Sequence, residues 1–345
     1  MHEKYGDIVR TGPNSVSMNG TVGWPEVFGF TRSGQPEFGK FNDFYQLGDK
    51  TALSIFPSDR ESHRRQRRIL AHAFSDAAIK EQEALITQYV DKLFVHLREH
   101  AARHERADMV RWYNFTTFDI IGDLALGQPF GCLDGGDYHP WVAMIFAGIK
   151  AGAQALALLK MPALSWILRL MVSKENMQKR LESRAISDRK VEQRLALGPA
   201  PDGRKDFMTY ILRHNDEKGM VHKEILGNSE SLIVAGSETT ATALSGLTYY
   251  ITTNPQALRR IQEEIRTAFS TEEEITMRST AQLKYLTACI EEILRVYPPV
   301  AETPPRVSPG ETVDGRYIPK GVSDMFPHLH LGPIARACTI WNNND

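Results

Sequence analysis

A chain of 345 residues, 42% hydrophobic and 24% charged, has an ordinary globular composition and can bury a large core as one or two domains. Its formal net charge of -1 leaves no electrostatic footprint for nucleic acid, with the Arg64 to Arg68 cluster as the local exception. Cys132, Cys289 and Cys338 are widely spaced, which excludes a disulfide framework or a Cys-x-x-Cys metal site and points to a reducing, cytosol-facing environment.

The opening Met1-His2-Glu3-Lys4-Tyr5-Gly6-Asp7 is polar, unlike a signal peptide, and runs into strand-like Ile8-Val9-Arg10. Residues 8 to 20 alternate around Thr11-Gly12-Pro13-Asn14 and predict a hairpin with Pro13-Asn14 as its turn. From about Asp59 the pattern becomes helical, over 60 to 73, 76 to 100 and 112 to 126, with Gly127 and Pro129 as stops. His100 and His104 have the spacing of a metal pair but no third ligand on that face, so they read as a solvated helix end. Residues 153 to 172 form the most apolar stretch. Lys160, Pro162 and Arg169 divide it, leaving no run of the ~20 apolar residues that a membrane span requires. It reads as two short buried helices or as an interfacial segment resting on lipid. Residues 173 to 196 read as a solvated helix face, and Gly198 to Arg204 as the clearest loop. No internal repeat divides the chain, which reads as a single domain over 1 to 345, mainly α with a small β-sheet.

The longest helical pattern runs from about His222 to Ile251, with Ile225, Leu226, Leu232, Ile233, Val234, Leu244 and Leu247 at roughly helical spacing. Small and hydroxylic residues interrupt it at Ala235-Gly236-Ser237-Glu238-Thr239-Thr240. Gly costs a helix about 1 kcal/mol relative to Ala, and consecutive Thr residues divert backbone hydrogen bonds, so a ligand against that face would explain the interruption. A core helix with a tolerated Gly kink would explain it too. Downstream, Glu292-Ile293-Leu294-Arg295-Val296-Tyr297-Pro298-Pro299 sets an acid and a guanidinium three residues apart on one helix face before a proline stop.

Together these segments resemble the cytochrome P450 family, whose oxygen-binding helix carries Ala/Gly-Gly-x-Asp/Glu-Thr-Thr/Ser and whose later helix carries Glu-x-x-Arg. A third match, His63-Arg64-Arg65-Gln66-Arg67 followed by Ile69-Leu70-Ala71-His72-Ala73-Phe74, looks like the family's propionate-binding helix, with His63 at its usual Trp position. The resemblance reaches Gly321. It implies the mainly α cytochrome P450 fold and a haem cofactor, with Ala235 and Gly236 over the porphyrin. It also implies that Thr239 hydrogen-bonds dioxygen and that Glu238 relays protons from solvent. By the same resemblance Arg67 and His63 hold one haem propionate and Arg306 of Thr303-Pro304-Pro305-Arg306 the second. Glu292 and Arg295 serve as scaffold.

The resemblance departs at the C-terminus. Ala335-Arg336-Ala337-Cys338-Thr339-Ile340-Trp341 looks like a degraded copy of the family's His-Arg-Asp-Pro-x-x-Trp-x-x-Pro segment, which puts Cys338 at the Pro position. A competing alignment treats Arg336-Ala337-Cys338 as the Arg-x-Cys of the thiolate loop, but no Gly follows Cys338. The axial Cys ligand of the haem is therefore not expected in this chain, because Cys289 reads as core and Cys132 as structural. No metal ligand is assigned. The chain resembles one that begins inside the catalytic domain, without a membrane anchor. The resemblance implies a microsomal, eukaryotic, fungal-type monooxygenase, cytosolic or at the endoplasmic reticulum surface, with a role in secondary metabolism. Such an enzyme oxidises an apolar small molecule with dioxygen and electrons from NADPH-cytochrome P450 reductase. Pocket residues near 51 to 56, 142 to 160 and 300 to 304 give the apolar character. A non-enzymatic remnant of the fold, without catalytic haem, is the alternative. Two structural expectations follow: the Gly236 helix is the longest and crosses the domain centre, and Glu292 and Arg295 are buried together.

Overall fold

A computed structural model describes residues 1–29, 34–46, 53–159, 174–198 and 203–324. The chain divides into two compact units, residues 49–241 and residues 1–48 with 242–345.

The unit of residues 49–241 is helical, and side-chain caps set where its helices start. Asp59 accepts from the Ser62 N–H at the head of α1 (Arg60–Leu70), Ser75 from Ala78 at α2 (Asp76–Ala102), and Asp108 from Arg111 at α3 (Met109–Leu126). Gly127 ends α3 in the left-handed conformation, with φ at 75°, which a residue with a Cβ adopts at a cost. These three helices agree with the predicted spans to within a few residues, residues 71–74 forming a 3-10 turn. They are followed by α4 (Pro140–Leu159), α5 (Lys174–Ala196), α6 (Phe207–His214) and α7 (His222–Thr253). At 32 residues α7 is the longest helix among the described residues, and the division between the units falls inside it.

The core of this unit is built around α3, whose residues 114 to 119 are all buried. Phe115, Phe118 and Leu126 pack with Ile69, Trp141, Met208, Ile211 and Ile233 in one cluster. Each such side chain contributes about 1.5–3 kcal/mol by leaving water. Two carboxylates inside this core are paired. The Asp119 carboxylate accepts from the backbone N–H groups of Cys132 and Leu133 at 3.1 and 2.9 Å, and Asp123 accepts from the Tyr89 hydroxyl at 2.7 Å.

Arg194 corrects the reading of 173 to 196 as a solvated face. It is 2% exposed, and its Nε and Nη2 donate to Asp206 at 2.7 and 2.8 Å while Nη1 donates to the Gly198 carbonyl at 2.7 Å. Arg204 also donates to Asp206, at 2.7 Å, and pairs with Asp123. A guanidinium can be buried here because carboxylate and carbonyl oxygens meet its fork in plane. Residues 160–173 lie outside the described residues, so α4 covers only the first part of the apolar stretch 153 to 172. No helix among the described residues is long and apolar enough to cross a membrane.

The other unit holds the small sheet. β1 (Ile8–Gly12) and β2 (Ser15–Met18) pair antiparallel with Ile8 opposite Met18, as the Pro13-Asn14 turn predicts. β3 (Gly39–Lys40), β4 (Arg306–Val307) and β7 (Ser323–Asp324) complete the order β1-β2-β7-β4-β3. β5 (Glu311–Val313) and β6 (Arg316–Ile318) form a separate hairpin. Ile8, Met18, Val27, Phe38, Val313 and Ile318 make a second core. α8 (Pro255–Ala268) starts at an Asn254 cap with proline at its first position. α9 (Lys284–Val296) has its first N–H groups met by Glu264 of α8, at 2.8 Å from Tyr285 and 2.9 Å from Leu286.

Candidate functional site

α7 runs unbroken through Ala235-Gly236-Ser237-Glu238-Thr239-Thr240 because its hydroxyls turn back onto their own helix. Ser229, Ser231, Ser237 and Thr239 donate to the carbonyls of Ile225, Gly227, Ile233 and Ala235, at 2.9, 2.9, 2.6 and 2.6 Å. The side chains add bonds to the ladder instead of diverting it. Ala235 and Thr239, four residues apart, share one helix face, Ala235 exposed and Thr239 half-buried. Since the Thr239 proton goes to Ala235, its oxygen presents lone pairs to a donor.

Gly236 has a close neighbour on α3. A Cβ placed on it would lie 2.8 Å from Ile121 Cδ1, so the missing side chain admits α3. The close approach is between two helices of one unit, and this accounts for the glycine without a ligand.

Glu238 is half-buried, and its Oε2 is buried with no hydrogen-bond partner. Burial pushes its carboxyl above the ordinary carboxylate value. Its charge in turn adds to the burial that raises the Tyr138 phenol, which packs edge-on against Phe115 and Phe146 at 5.0 and 5.4 Å.

On α1, His63 and Arg67 lie one turn apart on a common face, His63 half-buried and Arg67 exposed. Two other arginines of the basic cluster are committed to structure. Arg65 donates to both Glu224 oxygens at 2.7 and 2.6 Å and to the Gly219 carbonyl at 2.6 Å, and Arg68 donates to Asp216 at 3.0 Å. The bond from Arg65 holds the Glu224 carboxyl below the usual range. Asn228, buried one turn after Glu224, donates to Gln66 at 2.8 Å and accepts from the Ile55 N–H at 2.9 Å. This polar seam escaped the sequence reading. Its one signal was Glu224 and Asn228, four residues apart beside the apolar positions of α7.

Arg306, in the unit holding the sheet, opens β4. Its guanidinium lies over the Phe28 ring at 4.9 Å and the Tyr45 ring at 5.9 Å, and its Nε is buried with no hydrogen-bond partner. In the same unit Glu292 and Arg295 form a two-bond pair, each bond 2.7 Å. Glu292 is buried as expected, whereas the Arg295 side chain keeps 29% exposure.

A cavity of about 580 Å³ in the helical unit is lined by Leu53, Arg184, Asp188, Lys223 and Leu226. It is more charged than the expected apolar pocket, and none of Ala235, Gly236, Glu238 or Thr239 lines it. Cys132 and Cys289 are buried free thiols, and burial pushes Cys132 up to about 11 and raises Cys289. Cys338 lies outside the described residues. His100 packs edge-on against Trp112 at 5.7 Å, and its Nδ1 is 3.4 Å from the Glu105 carboxylate.

The cytochrome P450 family profile matches residues 1–343. This chain belongs to the cytochrome P450 family. It is 41% identical over 342 residues to cytochrome P450 monooxygenase astJ of Aspergillus oryzae, covering 98% of this chain and 68% of that protein. Cytochrome P450 monooxygenase aclL of the same species is 42% identical over 325 residues, 93% of this chain and 65% of its own length. The trichothecene C-15 hydroxylase of Fusarium sporotrichioides is 38% identical over 343 residues, 96% of this chain and 68% of that protein. The chain thus spans about two thirds of the length of these curated relatives. Membership of the cytochrome P450 family implies haem, and two features of the chain suit it. Arg306 Nε is a buried donor without an acceptor, and the Glu238 carboxyl is a buried oxygen without a donor.

Proposed function

We propose that this chain carries the haem-facing helix and propionate contacts of a monooxygenase that oxidises an apolar small molecule with dioxygen. The carrying observation is Glu238, whose buried, unbonded Oε2 and raised carboxyl make it a proton store one residue from Thr239. A carboxyl raised toward neutrality gives up a proton more readily at working pH than an alcohol does, and it reloads from water. Thr239 Oγ1 offers lone pairs to a donor because its own proton rests on the Ala235 carbonyl. Ala235, exposed and without bulk, leaves that helix face open to a flat ligand.

Haem, when bound, supplies the redox centre at which dioxygen is reduced. Arg67, whose side chain makes no hydrogen bond or ion pair among the described residues, would hold one propionate with His63 beside it. Arg306 would take the other through its unspent Nε. Gly236 enters this reading as the residue that seats α7 against α3, which fixes the height of the Ala235 and Thr239 face. Electrons would come from NADPH-cytochrome P450 reductase. Free Cys132 and Cys289 suit the reducing side of the endoplasmic reticulum surface or the cytosol, where that partner works. As in the relatives named as monooxygenases of fungi, secondary metabolism is the setting we infer. The chain reads as one functional domain despite its two compact units.

The test is reconstitution with haem, the reductase, NADPH and labelled dioxygen over a panel of apolar probes. Label should enter a probe, and Glu238→Gln and Thr239→Ala should each lower product per NADPH consumed. Incorporation that both substitutions leave unchanged would remove these residues from the proton route.

A further inference from the structure

Arg306 stands in an unusual setting for a surface-sheet arginine. Its register partner on β3 is Lys40, and on β7 it is Asp324. Lys40 Nζ lies 5.4 Å from the centre of the Tyr45 ring that Arg306 also overlies, so the two cations share one aromatic face group. Phe28 covers the guanidinium at 4.9 Å. Both rings are themselves held, Phe28 against Trp24 at 5.3 Å and Tyr45 edge-on to Phe44 at 5.4 Å. Burial raises the Tyr45 phenol while the Arg306 charge acts against the rise, so the ring stays neutral.

Two costs sit here. A buried N–H without an acceptor costs about 1–3 kcal/mol, and like charges on directly opposed strand positions repel. Attraction of the cation to the two rings offsets part of both. The result is a guanidinium held against two aromatic side chains while its Nε–H is unspent. That arrangement suits a planar anion with two acceptors, a carboxylate.

We propose that Phe28 and Tyr45 are positioning residues that clamp the Arg306 guanidinium, presetting it for a carboxylate of the haem. The inference rests on the reading that Arg306 takes a haem propionate. The rings touch the arginine, not the cofactor, and they act by removing rotations that binding would otherwise freeze.

Two measurements on the whole chain separate the clamp from the reading beneath it. In arginine-labelled, haem-free protein, the Arg306 Nε–H resonance, assigned by its loss in Arg306→Lys, should carry a ring-current shift. Phe28→Leu and Tyr45→Leu should each move it toward the position of a free arginine, and Tyr45→Phe should leave it in place. In absorbance titrations, ferric protoporphyrin IX should bind more tightly than its dimethyl ester, and Arg306→Gln should abolish that preference. Each leucine variant should reduce the preference about three- to ten-fold, the range expected for a partly buried cation–π contact, with Tyr45→Phe restoring it. Affinity for the ester should stay constant across the series, which reports that the variants are folded. Leucine variants that keep the full preference while Arg306→Gln loses it would overturn the clamp and leave the propionate reading standing. A wild-type chain that binds acid and ester alike, or neither, would overturn the propionate reading and the clamp with it.

Discussion

Gly227 and Gly236 both lie on α7 and both lack room for a Cβ, but against different neighbours. At Gly227 the added carbon would sit 2.3 Å from the backbone oxygen of Leu53, and at Gly236 it would sit 2.8 Å from the tip of Ile121. A side-chain tip rotates away, while a backbone must be displaced. Gly227→Ala should therefore cost about 1–3 kcal/mol and Gly236→Ala less than about 1 kcal/mol, since alanine's helix propensity works in its favour. Thermal melts of the two variants decide it, and equal losses would contradict the packing described. Glu238 carries a second expectation at this scale. Burial raises its carboxyl, so above the ordinary value of 4.5 the folded chain binds more protons than the unfolded chain. By linkage, stability falls as pH rises through the raised value. Glu238→Gln should thus gain stability over wild type at about pH 8 and gain none from this source at about pH 4. A difference independent of pH would place the carboxyl in water. The sequence marked Gly236 and Glu238 as special, but spacing along a helix does not say which neighbour faces each residue.

Among the elements, α1, α2, α3, the first hairpin and the length of α7 were legible, because each is bounded by a cap, a turn or a proline that acts locally. Arg194 was not. Its helix reads as Lys, Glu and Arg at solvent spacing, and burial comes from Asp206, which lies 12 residues on and itself caps α6. The same pairing fixes a cost. Removing one partner from a buried ion pair leaves the other uncompensated, so Arg194→Ala should lose about 3–5 kcal/mol, whereas Arg189→Ala, on the exposed face of the same helix, should stay within about 0.5 kcal/mol. Urea midpoints of the two variants give the comparison. Arg65 and Arg68 were hidden for the same reason, their partners lying about 150 positions away.

At the scale of the whole molecule, the chemistry of the cysteines bears on which spectrum a haem-loaded chain would give. Cys132, pushed up to about 11, and Cys289, also raised by burial, are protonated thiols at neutral pH and poor iron ligands. Cys132→Ser and Cys289→Ser should therefore each leave the carbon monoxide spectrum of the reduced, haem-loaded chain unchanged, and a band altered by either would make that buried thiol the ligand. A thiolate band abolished by Cys338→Ser would restore the alignment of Arg336-Ala337-Cys338 with the thiolate loop. A last consequence belongs to Arg194 and Arg204. Arg194 grips the Gly198 carbonyl and Asp206, and Arg204 anchors to Asp206 and Asp123. Asp206, which also caps α6, is therefore the single point where both guanidiniums and a helix start converge. It acts as a keystone: its loss would unlatch two buried or half-buried cations and uncap a helix in one step.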